Sequence, residues 1–171
     1  IGADRITIST VGLLPQIERY TEEGHPYRLI LSLTSAFSEK REQLVPVTAR
    51  YGVPELAPAM RRHAARRGGP VSIGWVLIAG YNSGDEEADE LGRLFAGVPV
   101  RVSVIDVNDR SGVHRRASDE ERGRFLTALS RNGLGFVRRY SGGADIHAAC
   151  GMLASRRTGG TAHQAPPAAP A

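Results

Sequence analysis

The sequence predicts an α/β fold built on parallel strands. Short runs rich in β-branched residues recur along the chain, and segments with helical spacing of apolar residues lie between them. The chain has 171 residues with 41% hydrophobic content, enough for one folded unit with a substantial core.

The elements follow in order. The first strand is expected over 5–9, RITIS. Apolar residues at Leu14, Ile17 and Tyr20 then predict a helix over 14–22, followed by a second strand over 28–33. A helix over 55–67 sets Leu56, Ala59, Met60 and His63 on one side with arginines opposite, and a third strand spans 71–78. The segment 85–95 begins with acidic residues, which suits the positive end of a helix dipole. A fourth strand is expected over 101–105. Ser118 followed by Glu121 is a capping-box signature that opens a helix through Leu129, and a fifth strand covers 135–139. A partial barrel and an open sheet both fit this alternation. From about Ser155 the chain turns to TGGTAHQAPPAAPA, whose Pro, Ala and Gly cannot bury enough apolar surface to order the segment. The predicted division is a folded unit over 1–154 and a flexible tail over 155–171.

Composition narrows the class. No stretch approaches the roughly 20 apolar residues of a membrane span, and the N-terminus lacks the build of a signal peptide, so a soluble cytoplasmic protein without a membrane partner is expected. The chain opens on Ile1, almost directly into a strand, and reads as a fragment. Its net charge is +4, and Lys40 is its only lysine. A modest arginine excess permits nucleic-acid binding, because guanidinium pairs bidentately with phosphate. Cys150 is the single cysteine, so no disulfide framework or multi-cysteine metal site can be built from this chain, and no metal ligands are assigned. His25, His63, His114 and His163 carry no ligand spacing and read as surface residues.

In parallel α/β folds the working residues sit at the C-terminal ends of the strands. Ser9 closes the first strand, Ser32 and Thr34 the second, and Asn108 follows the fourth. They would share one rim able to hydrogen-bond a polar small molecule, or else begin turns and cap helices. Cys150 is open in the same way: its small neighbours leave the thiol accessible, yet a lone cysteine commonly acts as a small buried hydrophobe.

Five segments carry a resemblance. ADIHAACGML resembles the DIDAACGQL signature of the methyl-carrying cysteine in the RlmN/Cfr family of radical S-adenosylmethionine RNA methyltransferases. GADRITISTVGLLP is similar to GARxITxSTVGxxP, with Ser9 on the family's cofactor-binding serine. LILSLTSAFSEKREQLVPV is similar to AxSLHAPNDxxRxxLxPI and keeps Ser32, Leu33, Arg41, Leu44 and Pro46. WVLIAGYNS resembles YVLIxGVND with Asn82 retained, and VSVIDVN resembles NLIPxNP with Asn108 retained. Order and spacing hold over 1–153. Departures stand beside these matches. Thr34 replaces the family's histidine, Ser35, Ala36, Phe37 and Ser38 replace APND, Gly74 and Trp75 replace Glu-Tyr, and Asp106 and Asp109 replace two prolines.

The resemblance implies the C-terminal portion of a partial (β/α) barrel of the radical-SAM type. It implies S-adenosyl-L-methionine bound at Ser9, Ser32, Leu33, Thr34 and Asn108, and Cys150 as the catalytic methyl carrier. It also implies a 4Fe-4S cluster whose CxxxCxxC ligands, like the family's second cysteine, lie outside this chain, together with an external electron donor. In that chemistry the cysteine is methylated by displacement, and the methyl carbon, after loss of a hydrogen atom, adds to an adenine carbon of RNA. The expected substrate is 23S rRNA, with tRNA a further candidate, and the protein is expected to be a monomer. Arg138 or Arg139 is expected to favour the Cys150 thiolate. Two alternatives stand beside this reading: a paralogue acting on a peptide or small natural product, to which the Thr34 loop and Trp75 point, and an inactive cofactor-binding relic. A half-barrel would also expose sheet edges and be poorly soluble alone.

Overall fold

A computed structural model describes residues 1–109 and 112–139. Five strands form one sheet: β1 (Thr7–Thr10), β2 (Arg28–Ser32), β3 (Val71–Leu77), β4 (Val100–Asp106) and β5 (Gly135–Arg139). Every neighbouring pair is parallel, and the strand order is sequential from β1 to β5. The crossovers carry α1 (Leu14–Glu22), α2 (Ser38–Leu44), α3 (Val53–Arg67), α4 (Asp85–Leu94) and α5 (Asp119–Arg131). Sequential order with a helix between successive strands is the layout of a barrel wall, in which helices collect on one face. Among the described residues the sheet is not closed, and its unbroken sequential order, without the reversal of a doubly wound sheet, is that of a partial barrel.

Register separates the two faces. Leu31, Ile73 and Val102 are partners in one row, and Trp75 and Val104 in another. These five residues are at most 2% exposed and pack with Ile17, Leu56, Met60, Leu91, Phe125 and Leu129 from the helices. Trp75 stacks on Phe125 with ring centroids 5.4 Å apart. The intervening rows present Ser9, Ile30, Ser72 and Arg101, then Ser32, Gly74, Ser103 and Val137, then Val76, Ile105 and Arg139. In parallel strands side chains alternate, so these rows line the opposite face, helix-free among the described residues. At the edges Ile8 and Phe136 are 40% and 38% exposed.

The helix signals act as their chemistry requires. Ser118 Oγ accepts from Glu121 N at 3.1 Å, the N-cap bond of α5. The reciprocal half of the capping box is redirected: Glu121 Oε1 accepts instead from Gly80 N at 2.6 Å and from the Ser83 hydroxyl. α3 ends at Gly68, whose φ of 74° is the left-handed closure glycine permits. α2 was not expected from the sequence; it is seven residues long and buries Arg41. One expectation is corrected. His63 is not a surface residue but is 7% exposed, with Nδ1 3.0 Å from Thr21 Oγ1. Thr21 Oγ1 donates its proton to Ile17 O, so the imidazole donates through Nδ1. Burial and the neighbouring Arg67 push its pKa below the ordinary histidine range. His25 is exposed as expected.

Candidate functional site

The C-terminal ends of β1 and β2 bring together two of the residues singled out at strand ends. Ser9 lies in the row of Ile30, and Ser32 follows one row beyond, in line with Gly74 and Ser103. The Ser9 and Ser32 hydroxyls meet at 3.1 Å on the helix-free face. Both can rotate to donate or accept, so the pair is suited to a polar ligand lying across the strand ends. Gly74 beside Ser32 contributes no side chain, and a Cβ there would meet its nearest atom, Ser32 Cα, at 3.6 Å. Neither backbone conformation nor packing therefore demands glycine, since a Cβ would make only ordinary van der Waals contacts.

The chain leaving β2 is braced from behind. Leu33 is fully buried in the core, so its side chain is no part of the rim, while its N–H donates to Gly74 O at 3.0 Å. Thr34 is 7% exposed and has φ of 64°. A β-branched residue in the left-handed region carries strain on the order of 1–3 kcal/mol. Asn82, fully buried, holds it there: Nδ2 donates to Thr34 O at 2.6 Å and to Val76 O at 2.7 Å, while Oδ1 accepts from Ile78 N at 2.7 Å. Glu87 of α4 is also fully buried; its oxygens face the Ser35 hydroxyl at 2.9 and 3.0 Å, accept from Ala36 N at 2.7 Å and lie 3.3 Å from Lys40 Nζ. The segment in which the family's APND is replaced is thus anchored by its own network.

Arg41 completes the bracing from α2. Its Nε donates to Leu33 O at 3.0 Å, one terminal nitrogen to Thr48 Oγ1, and the other to Val11 O and, at 3.3 Å, to Ser32 O. The residue is fully buried, and burial pushes its pKa down to about 10, so it remains a cation at neutral pH. The motif matches flagged Arg41 and Asn82, but nothing in the sequence distinguished their bracing role from a solvated one. Glu87 read only as one of the acidic residues that open α4.

Asn108 lies two residues beyond the end of β4 and is half-buried. Asp106, where the family has proline, is 2.6 Å from Arg116 and within 4.0 Å of Arg138. Arg138 shares the row of Trp75 and Val104, on the helix side, whereas Arg139 lies in the row of Val76 and Ile105 on the open face. Of the two arginines expected to act on the thiol, only Arg139 faces the rim's side of the sheet. Trp75 is corrected in the same way: it belongs to the core, and Gly74 is the departure that shares the face of Ser32. Cys150, together with Asp145, His147 and the 155–171 tail, lies outside the described residues. Among the described residues no group of three or more His, Cys, Asp or Glu is placed to hold a metal ion.

Known proteins identify the family. No family model matches the chain. A probable RNA methyltransferase of Anaeromyxobacter sp. (strain Fw109-5) is 52% identical over 158 residues, 91% of this chain and 47% of the relative. A probable dual-specificity RNA methyltransferase RlmN of Chlorobium phaeovibrioides is 39% identical over 158 residues, 91% of this chain and 42% of the relative. The crystal structure of a radical SAM methyltransferase from Sphaerobacter thermophilus superposes with a TM-score of 0.83 at 40% identity, covering 89% of this chain and 45% of that one. The chain spans about half the length of the curated relatives it matches. By sequence over nearly its whole length, and by the fold of its sheet, the chain belongs to the RlmN-type radical SAM methyltransferase family.

Proposed function

We propose that the protein containing this chain transfers a methyl group from S-adenosylmethionine to an adenine carbon of RNA through Cys150. The observation that carries the reading is the convergence of the Ser9 and Ser32 hydroxyls on the helix-free face, at the end of the sheet where a parallel barrel keeps its working residues. When bound, S-adenosylmethionine supplies the methyl group, and a 4Fe-4S cluster held outside this chain supplies the electron for radical chemistry.

This chain's own part is to bind and to carry. Ser9 and Ser32 hydrogen-bond the polar groups of the cofactor, Leu33 and Thr34 shape the turn beneath it, and Asn108 closes the rim from β4. Cys150 attacks the methyl carbon as a thiolate, forming a carbon–sulfur bond as S-adenosylhomocysteine leaves. Arg139, on the open face, lowers the cost of that thiolate. The substrate is 23S rRNA, with tRNA second; an external reductant, a monomeric state and a cytoplasmic location complete the proposal. No helix among the described residues is long and apolar enough to cross a membrane.

One observation favours a second reading, a paralogue with a different substrate. Gly74 and Ser103 are partners on the open face, and the family's motifs carry Glu and Asn at these positions, so two neighbouring side chains are trimmed together. Trp75 no longer supports it, being buried on the other face. Incubating the intact protein, with cluster and reductant, with 23S rRNA or tRNA and labelled S-adenosylmethionine separates the two. Label on an adenine carbon supports the first reading. Labelled Cys150 with unlabelled RNA and tRNA supports the paralogue, and no label on either contradicts both.

A further inference from the structure

Among the described residues Arg41 is unusual in being fully buried while its hydrogen bonds all go to neutral acceptors. Buried arginines ordinarily sit against a carboxylate, which repays part of their desolvation. Here the acceptors are three backbone carbonyls and one hydroxyl. The carbonyls are those of Val11, just past β1, and of Ser32 and Leu33, at the end of β2. One planar guanidinium therefore ties the exits of the two strands that carry Ser9 and Ser32.

The chain is shaped to admit it. Gly12 follows Val11 with φ of 98°, and a Cβ there would meet Leu56 Cδ1 at 2.8 Å and the Arg41 guanidinium at 3.3 Å. The glycine lets the β1 exit settle against α3 and lets the guanidinium reach the Val11 carbonyl. α2, a two-turn helix with no hydrophobic stripe, delivers this one buried side chain to that point.

We infer that Arg41 is a positioning residue for the cofactor site, holding the β1 and β2 exits together so that the Ser9 and Ser32 hydroxyls converge on one ligand. It touches neither the ligand nor the two hydroxyls; it acts through the carbonyls of Val11, Ser32 and Leu33. The inference rests on the reading of that rim as the S-adenosylmethionine site. A fork is required because three acceptors on two chain segments must be met in one plane, which the ammonium of lysine cannot do.

The test compares Arg41→Met, Arg41→Lys and Thr48→Val in the intact natural protein, measuring S-adenosylmethionine affinity by calorimetry and unfolding midpoints on the same samples. Thr48→Val removes the one acceptor that lies off the strand exits, so it perturbs the same guanidinium without releasing the rim. Arg41→Met is expected to weaken S-adenosylmethionine at least tenfold while folded, Arg41→Lys to lie between it and wild type, and Thr48→Val to stay within twofold of wild type. Folded Arg41→Met with wild-type affinity would overturn the assignment. So would affinity that falls in proportion to stability across all three variants, or failure of both Arg41 variants to fold, which would make the residue structural alone. Wild-type protein that binds no S-adenosylmethionine would instead remove the functional reading beneath it, a result distinct from any of these.

Discussion

The two faces of the sheet are made by the same strands and follow different rules. On one, Leu31, Ile73, Trp75, Val102 and Val104 are at most 2% exposed and packed under helices. On the other, alternating with them, stand Ser9, Ser32, Gly74, Ser103 and Arg139. The first set forms the core, the proposed cofactor chemistry belongs to the second, and a single residue step along a strand moves a side chain from one to the other. Gly74 and Trp75 are adjacent departures from the family, yet only the glycine shares the face of Ser32. Arg138 and Arg139 divide likewise, one beside Asp106 and one on the open face.

The sharpest way to break this comparison is to substitute both members of one adjacent pair. Trp75→Ala empties a fully buried site stacked on Phe125 and is expected to cost about 3–5 kcal/mol in denaturant unfolding. Gly74→Ala, one residue away, meets only ordinary van der Waals contacts and relieves a glycine in a strand, so it should be neutral or stabilise by up to about 1 kcal/mol. Comparable losses from both would mean the faces are not distinct.

A smaller effect is expected behind the rim. Asn82→Ala leaves buried groups at Thr34, Val76 and Ile78 without their partner and should cost roughly 1–3 kcal/mol. Thr34→Gly removes a left-handed β-branched residue and should raise the unfolding midpoint, by about 1 kcal/mol in stability. A destabilised Thr34→Gly would show that the side chain does more than endure strain.

The smallest effect concerns acid. The Ser83 hydroxyl and the Gly80 N–H hold the Glu121 carboxyl below the ordinary glutamate range. A carboxylate with a depressed folded-state pKa contributes stability that is complete above its unfolded pKa and lost as pH falls through the folded one. Glu121→Gln is therefore expected to be less stable than wild type at neutral pH and to approach it under acid. Parallel pH profiles for the two proteins would contradict the role of this bond.

Much of the fold was legible because β-branched runs and helical spacing report the covered face. Gly135–Arg139 and Leu14–Glu22 fall where expected, and the other long elements shift by one or two residues at an end. α2 was not, since SEKREQL has no apolar stripe and its buried residue is an arginine. For the candidate site, the rule that strand ends carry function singled out Ser9 and Ser32, whose hydroxyls the fold brings together. It could not find Asn82, Arg41 and Glu87 as braces, because a polar side chain reads as solvated until its acceptors are seen. Alternation showed which residues share a face but not which face the helices cover, so it could not place Trp75 or Arg138.

The most direct test of the division is to substitute Ser9 and Ser32 together by alanine in the intact protein and to measure S-adenosylmethionine affinity and unfolding midpoint on the same samples. The expected result is affinity reduced at least tenfold with stability within about 0.5 kcal/mol of wild type, as for exposed substitutions away from the core. Unchanged affinity, or affinity lost only together with stability, would contradict the account.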